Sequence, residues 1–136
     1  MERLLSNEWI LTIANYSVTI LMLIVFLAIF ETVTKYNNWE EIKKGNVAVA
    51  MATGGKMFGV ANIFATAIQQ SESLITMLLW GGFGFTLLLF SYFIFEFLTP
   101  GFNVDEEIGN DNRAVGLLSL LLSVGLSFVI AAGIKQ

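Results

Sequence analysis

Long apolar runs separated by short polar intervals dominate the chain. From Trp9 to Phe30 no charge occurs, and the run stops at Glu31. Val47 to Ile68 forms a second run, interrupted by Lys56. Leu74 to Leu98 is a third, rich in Phe, with Glu96 near its end and Pro100 just beyond. The fourth, Ala114 to Ile134, is free of charge and gives way to Lys135-Gln136. At about 1.5 Å of rise per residue, about 20 apolar residues cross a hydrocarbon core, and every run reaches that length. Lipid offers no partner for backbone polar groups, so such segments bond within themselves and are predicted to be helices. The shorter alternating segments of a membrane β-barrel are absent. The pattern predicts an all-α membrane protein with four transmembrane helices, forming a single integral domain over residues 1–136. Trp9 falls where an interfacial aromatic belongs. Met1-Glu2-Arg3 lacks a basic n-region and the first run is too long for a signal core, so it reads as a retained span.

The polar intervals differ from one another. Only Gln69 to Ser73 separates the second run from the third, which predicts a tight hairpin. Glu31–Asn46 and Pro100–Arg113 are longer and acidic. Of the 11 acids, Glu31, Glu40, Glu41, Glu96, Asp105, Glu106, Glu107 and Asp111 lie on that side. An even number of spans places both termini with the short hairpin on the opposite side. Orientation follows Lys and Arg. Lys35, Lys43, Lys44 and Arg113 flank the long loops, against Arg3 and Lys135 on the terminal side. Long loops are therefore expected in the cytoplasm and termini outside.

Composition narrows the chemistry. The chain is 56% hydrophobic and 13% charged, whereas soluble domains carry about 25% charged residues. A soluble chain of this size hides only about two thirds of its surface, too little to absorb so many apolar residues. The lipid bilayer is the expected surrounding. With no Cys and no His, disulfides, thiolate metal sites, thiol nucleophiles and imidazole acid–base chemistry are excluded. A net charge of −4 argues against nucleic acid, which selects basic faces. No phosphate loop, zinc motif or catalytic triad occurs. No enzymatic activity, catalytic residue, cofactor or metal is expected.

The two long loops share a pattern. Glu40-Glu41-Ile42, three residues, Asn46, one residue, Ala48-Val49 recurs as Glu106-Glu107-Ile108, three residues, Asn112, one residue, Ala114-Val115. Upstream, Phe30-Glu31 and Thr34 recur as Phe95-Glu96 and Thr99, with one residue inserted between the blocks. Chance matches are common within apolar segments and uncommon in polar loops. The predicted unit is helix, acidic loop, helix, in two copies of about residues 9–68 and 74–134. Each copy crosses twice, so both enter from the same side as parallel-oriented helix-pair repeats. The segment Glu40-Glu41-Ile42-Lys43-Lys44-Gly45-Asn46-Val47-Ala48-Val49-Ala50, followed by Gly54-Gly55, resembles the signature of the bacterial "domain of unknown function 350" membrane proteins. Asn112 through Gly116 resembles that family's second copy, and the likeness covers nearly the whole chain. It is greatest to the short, stand-alone members. Asp111 departs from the pattern where Gly is common, and Arg113 where a small apolar residue is. The resemblance implies a multi-pass bacterial plasma-membrane protein with duplicated helix pairs; it carries over no site residues.

Several residues invite a functional reading beside a structural one. Counted from Asn46, Lys56 lies about 15 Å deep, where a Lys costs about 2.5–3.5 kcal/mol on insertion scales. It is either a cation for an anionic ligand or a gated path, or a snorkelling side chain paired with Glu31 or Glu96. Its counterpart in the second copy is Leu122, which favours pairing, because a duplicated ion path should duplicate its charge. Glu31 and Glu96 form an acidic ring at a bundle mouth or simply mark where helices leave lipid. Glu40-Glu41 and Glu106-Glu107 offer oxygens for hard cations. Adjacent helical residues do not face each other, however, and first-turn acids favour a helix N-terminus. Asn46 and Asn112 read as polar groups that bond exposed backbone at the membrane entry.

Gly55-x-x-x-Gly59 and Ala61-x-x-x-Ala65 permit close helix approach, and Ser119, Ser123 and Ser127 share a face of the fourth run. The second and fourth spans are expected at the tight centre of the bundle. Thr12, Asn15, Tyr16 and Thr19 give the first span a mildly polar face. Two functions remain open. One is a structural or interaction protein, a homo-oligomer through small-residue faces, presenting acidic loops to an unidentified membrane or cytoplasmic protein partner. The other is a small ion channel or carrier using Lys56 and Glu31/Glu96.

Overall fold

The computed structural model describes residues 2–97, 99, 101 and 103–134. Leu98, Pro100, Lys135 and Gln136, expected at the ends of the third and fourth spans, lie outside the described residues. Among the described residues the chain forms seven helices: α1 (Glu2–Leu5), α2 (Glu8–Val33), α3 (Asn38–Lys43), α4 (Val47–Gln70), α5 (Leu74–Phe97), α6 (Val104–Gly109) and α7 (Arg113–Ala132). Helices α2, α4, α5 and α7 are long and apolar enough to cross a membrane. This is an all-helical, four-span membrane protein.

Asparagine side chains start these helices. Asn7 accepts the Trp9 N–H at the head of α2, Asn46 the Val49 N–H at α4, and Asn112 the Val115 N–H at α7. Asn37 and Asn103 do the same for α3 and α6 through the N–H groups of Glu40 and Glu106. Each cap satisfies one of the four orphan donors of a helix start and stabilises it by about 1 kcal/mol. The expected bonding of Asn46 and Asn112 to exposed backbone takes this form. Helix α2 runs past Glu31 to Val33 because an acid at the interface ends lipid exposure without breaking backbone bonds.

Helix α4 is the centre. Just over half of its apolar stretch, 56%, is buried, against 17% for α2. It packs along α7 so closely that side chains at some positions are excluded. A Cβ on Gly55 would stand 2.6 Å from the Leu120 Cα, and one on Gly116 2.7 Å from the Ala48 Cα. Gly59 faces the Ser123 carbonyl in the same seam. On the other side of α4, Ile63 and Phe64 fill the space left by Gly84 and Gly81 of α5. Helix α2 is held through Phe26, stacked on Phe85 at 3.9 Å, and Phe30, edge-on to it at 5.3 Å. The outer faces carry Leu117, Leu121, Phe128, Ile24, Leu79 and Phe90 into the surroundings, as lipid-facing surface requires. Above the spans, a second apolar cluster joins Tyr36, Val104 and Ile108 of the loop layer to Ala48, Val49, Ala52 and Val115.

Candidate functional site

Lys56 projects from the middle of α4 and is 1% exposed. Its ammonium lies over three rings: Tyr92 at 4.8 Å, Phe30 at 5.1 Å and Tyr36 at 5.8 Å. It also donates to the Tyr36 hydroxyl at 3.5 Å. These rings come from α5, α2 and the α2–α3 connection, so three chain segments close a cage around one charge. Desolvated cation–π contacts contribute about 2 kcal/mol or more, comparable to the cost of a mid-membrane Lys. The side chain reaches the loop layer along its own stem, which is snorkelling into protein instead of water.

The expected partners of Lys56 do not hold it. Among the described residues no carboxylate lies within 4.0 Å of its ammonium, and the Glu31 side chain makes no ion pair or hydrogen bond. Asp105 of α6, itself 1% exposed, is joined to the cage through Tyr92. Its carboxylate accepts the Tyr92 hydroxyl and, at 3.2 Å, the Lys35 backbone N–H. Tyrosines thus stand between the buried cation and the buried anion. Burial first, then the nearby Asp105 and Glu96, hold the Tyr36 phenol well above its ordinary pKa, so it stays a neutral hydroxyl.

Sequence reasoning missed Asp105, and a signal for it existed. At the offset that aligns Glu40 with Glu106, Asp105 stands opposite Trp39, just as Lys56 stands opposite Leu122. Two unmatched charges of opposite sign, one in each half, are joined to the same tyrosine cluster: Lys56 lies over Tyr92 and Tyr36, and Asp105 accepts from Tyr92. Tyr92 was hidden as the sole hydroxylated aromatic of a Phe-rich run.

The loop layer around this cluster is tied together by the shared motif. The Asn46 amide donates to the Glu41 carboxylate at 3.3 Å, and the Asn112 amide to Glu107 at 2.9 Å. Both loops turn through a left-handed residue at the same place, Gly45 (φ 91°) and Asp111 (φ 62°). Asp111 tolerates that backbone because a short polar side chain can bond locally, and its carboxylate accepts the Ala48 N–H at 2.9 Å. Asn46 also crosses between loops, donating to the Gly109 carbonyl at 2.9 Å and to Ile108 at 3.3 Å. Glu40 and Glu106 remain exposed beside a cleft of about 620 Å³, whose lining includes Tyr36 and Asp105.

The serines fall into two settings. Ser119 is buried and, with half-buried Ser123, lines a cavity of about 20 Å³ between α5 and α7 that Tyr92 and Phe30 also wall. Ser127 accepts the Asn62 amide of α4 at 3.0 Å. Asn62 in turn lines a cleft of about 470 Å³ with Thr66 and Gln70 at the far end of the seam.

The chain matches a family described as Domain of Unknown Function (DUF350) over residues 4–134. It is 62% identical over 128 residues to the UPF0719 transmembrane protein YshE of Bacillus subtilis (strain 168), covering 94% of this chain and 96% of that protein. It is 28% identical over 104 residues to the UPF0719 inner membrane protein YjfL of Escherichia coli (strain K12), covering 76% and 77%. No solved structure matches the chain.

Proposed function

This chain belongs to the DUF350 family, and from that premise we propose that it is a non-enzymatic plasma-membrane protein of structural and interaction type. It consists of two parallel helix-pair repeats, self-associates in the bilayer, and presents its acidic loops to a protein partner on the cytoplasmic side. The observation that carries this reading is the loop layer. Two short acidic helices are capped, tied to each other through Asn46, and fastened to the spans through Asp111 and Asp105. A preordered acidic surface binds a basic segment without first paying for loop ordering.

The small-residue faces divide. Gly55, Gly59 and Gly116 are consumed within the chain, between α4 and α7. Ala50, Gly54 and Ala65 stand exposed on the outer side of α4, and small residues there support close approach of a second copy. Reversing Glu40 and Glu106 to Lys leaves every cap in place while inverting the cleft's charge. Capture of partners from detergent-solubilised membranes should then fail, and a variant that still retained all of them would count against the reading. Orientation is tested separately, since the chain lacks Cys. A Cys placed at Glu40 should resist an impermeant reagent in intact cells, and one at Glu72 should react.

A further inference from the structure

We propose that the gap between α5 and α7 is a lateral slot for a long-chain alcohol, a neutral hydroxyl head on one hydrocarbon chain drawn from the bilayer. This does not rest on the interaction reading. The two helices touch at Gly84, where a Cβ would stand 3.3 Å from the Ile130 side chain. Nearer the loops they leave a gap. Ser119 lies six residues into α7 and Ser91 six residues before the end of α5, so both stand about 9 Å below the loop-side helix ends. Phe30, Leu88 and Ser119, each at most 3% exposed, form the back wall. Half-buried Ser91, Leu122 and Ser123 form the rim. All of them belong to membrane spans, so the gap opens sideways onto lipid chains.

The same place in the first half of the chain is filled. At the offset that pairs Phe30 with Phe95, Phe26 pairs with Ser91. Phe26 is buried and stacks on Phe85 at 3.9 Å, whereas Ser91 is too small to close the matching space on α5. Hydroxyls gather around that space. Ser91 donates back to the Leu87 carbonyl at 2.9 Å, but Ser119 and Ser123 turn to the gap and make no hydrogen bond among the described residues. A buried hydroxyl without a partner costs about 1–3 kcal/mol, so an occupant that brings an oxygen is favoured over a bare chain. The walls restrict that oxygen further. No charged side chain lines the gap, so a carboxylate or phosphate head would meet no counter-ion there. The enclosed part, about 20 Å³, has room for about one water, hence for one hydroxyl and not for a glycerol or sugar head. An alcohol hydroxyl accepts from one serine and donates to the other, while its chain leaves along Leu122 and Leu126 into lipid.

The full chain in phosphatidylcholine nanodiscs tests this, with hexadecanol carrying a diazirine near its tail as photolabel and peptide mass spectrometry to map it. Label should concentrate on the α5 and α7 residues that wall the gap. Plain hexadecanol should displace it about tenfold better than hexadecane, the effect of two net hydrogen bonds, and hexadecyl sulfate no better than the alkane. Ser119→Ala combined with Ser123→Ala should bring alcohol and alkane to parity while unfolding like wild type. Ser91→Phe should abolish the label without loss of thermal stability, and Ser123→Leu, which fills the gap from the other wall, should do the same. Label spread evenly over the lipid-facing helices, alkane matching alcohol on the wild-type chain, stronger displacement by hexadecyl sulfate, or full labelling of both filled variants each overturns the proposal.

Discussion

The two loop-to-helix segments, α3 into α4 and α6 into α7, begin alike and end differently. Each opens on an asparagine cap, passes two glutamates and an isoleucine, turns through a left-handed residue, and enters the membrane under a second asparagine. Past that point they diverge. Helix α4 is enclosed on most sides and carries a buried cation, whereas α7 turns Leu117, Leu118, Leu121 and Val129 outward. Even the shared turn shows the split: Gly45 makes it with no side chain, and Asp111 makes it while binding the start of α4. Local backbone chemistry is alike in the two segments, whereas their tertiary roles differ. The differences are complementary, since the second loop supplies Asp105 to the Tyr92 hydroxyl of the Lys56 cage and Asp111 to the start of α4.

The sharpest way to break this comparison is to remove the complement. Asp105→Leu leaves Lys56 in its cage with no nearby compensating carboxylate but Glu96. Removing the Asp105 carboxylate leaves the Tyr92 hydroxyl and the Lys35 N–H without their acceptor, at about 1–3 kcal/mol each, so thermal unfolding in mild detergent should shift down strongly. Adding Lys56→Met to that variant should restore part of the loss, because no charge is then stranded. If the double variant is no more stable than Asp105→Leu, the two charges are not answering one another.

Next in size is the seam itself. Gly116→Val places a side chain on the Ala48 backbone, which cannot yield as a flexible side chain does. Overpacking of this kind costs about 1–3 kcal/mol. Gly54→Val on the outer face meets nothing within 4 Å and should leave monomer stability nearly unchanged. Equal losses from the two substitutions, measured by unfolding at high detergent where copies are separated, would place the tight contact elsewhere.

What could be read in advance follows from how far each determinant reaches along the chain. Span number and helix entry depend on residues within one run, so Trp9 to Phe30 or Asn46 to Ile68 declared themselves by length, charge and cap. Lys56 stood out for the same reason. Asp105 did not, because it is remote in sequence and meets the Tyr92 of the Lys56 cage only once α6 folds over the spans. Glu31 and Glu96 attracted attention as the acids nearest the span ends, but position along the chain says little about which acid a folded loop will bury. The short helices α3 and α6 are too brief to show a period, although their acids and asparagines pointed to helix starts.

The smallest effect separates the two entry asparagines. Both accept a backbone N–H and both donate to the glutamate five residues earlier. Replacing either with Ala should therefore cost about 1 kcal/mol for the cap. Asn46 carries an added duty, since its amide also satisfies the Ile108 and Gly109 carbonyls of the other loop. Leaving buried acceptors unpaired adds about 1 kcal/mol or more, so Asn46→Ala should destabilise by about twice as much as Asn112→Ala. Hydrogen exchange should sharpen the contrast, with protection lost at α6 as well as α4 in the first variant and near α7 alone in the second. Matched losses confined to each variant's own helix would mean that the loops are capped alike but not coupled, and that the layer joining the two halves rests on Asp111 and Asp105 instead.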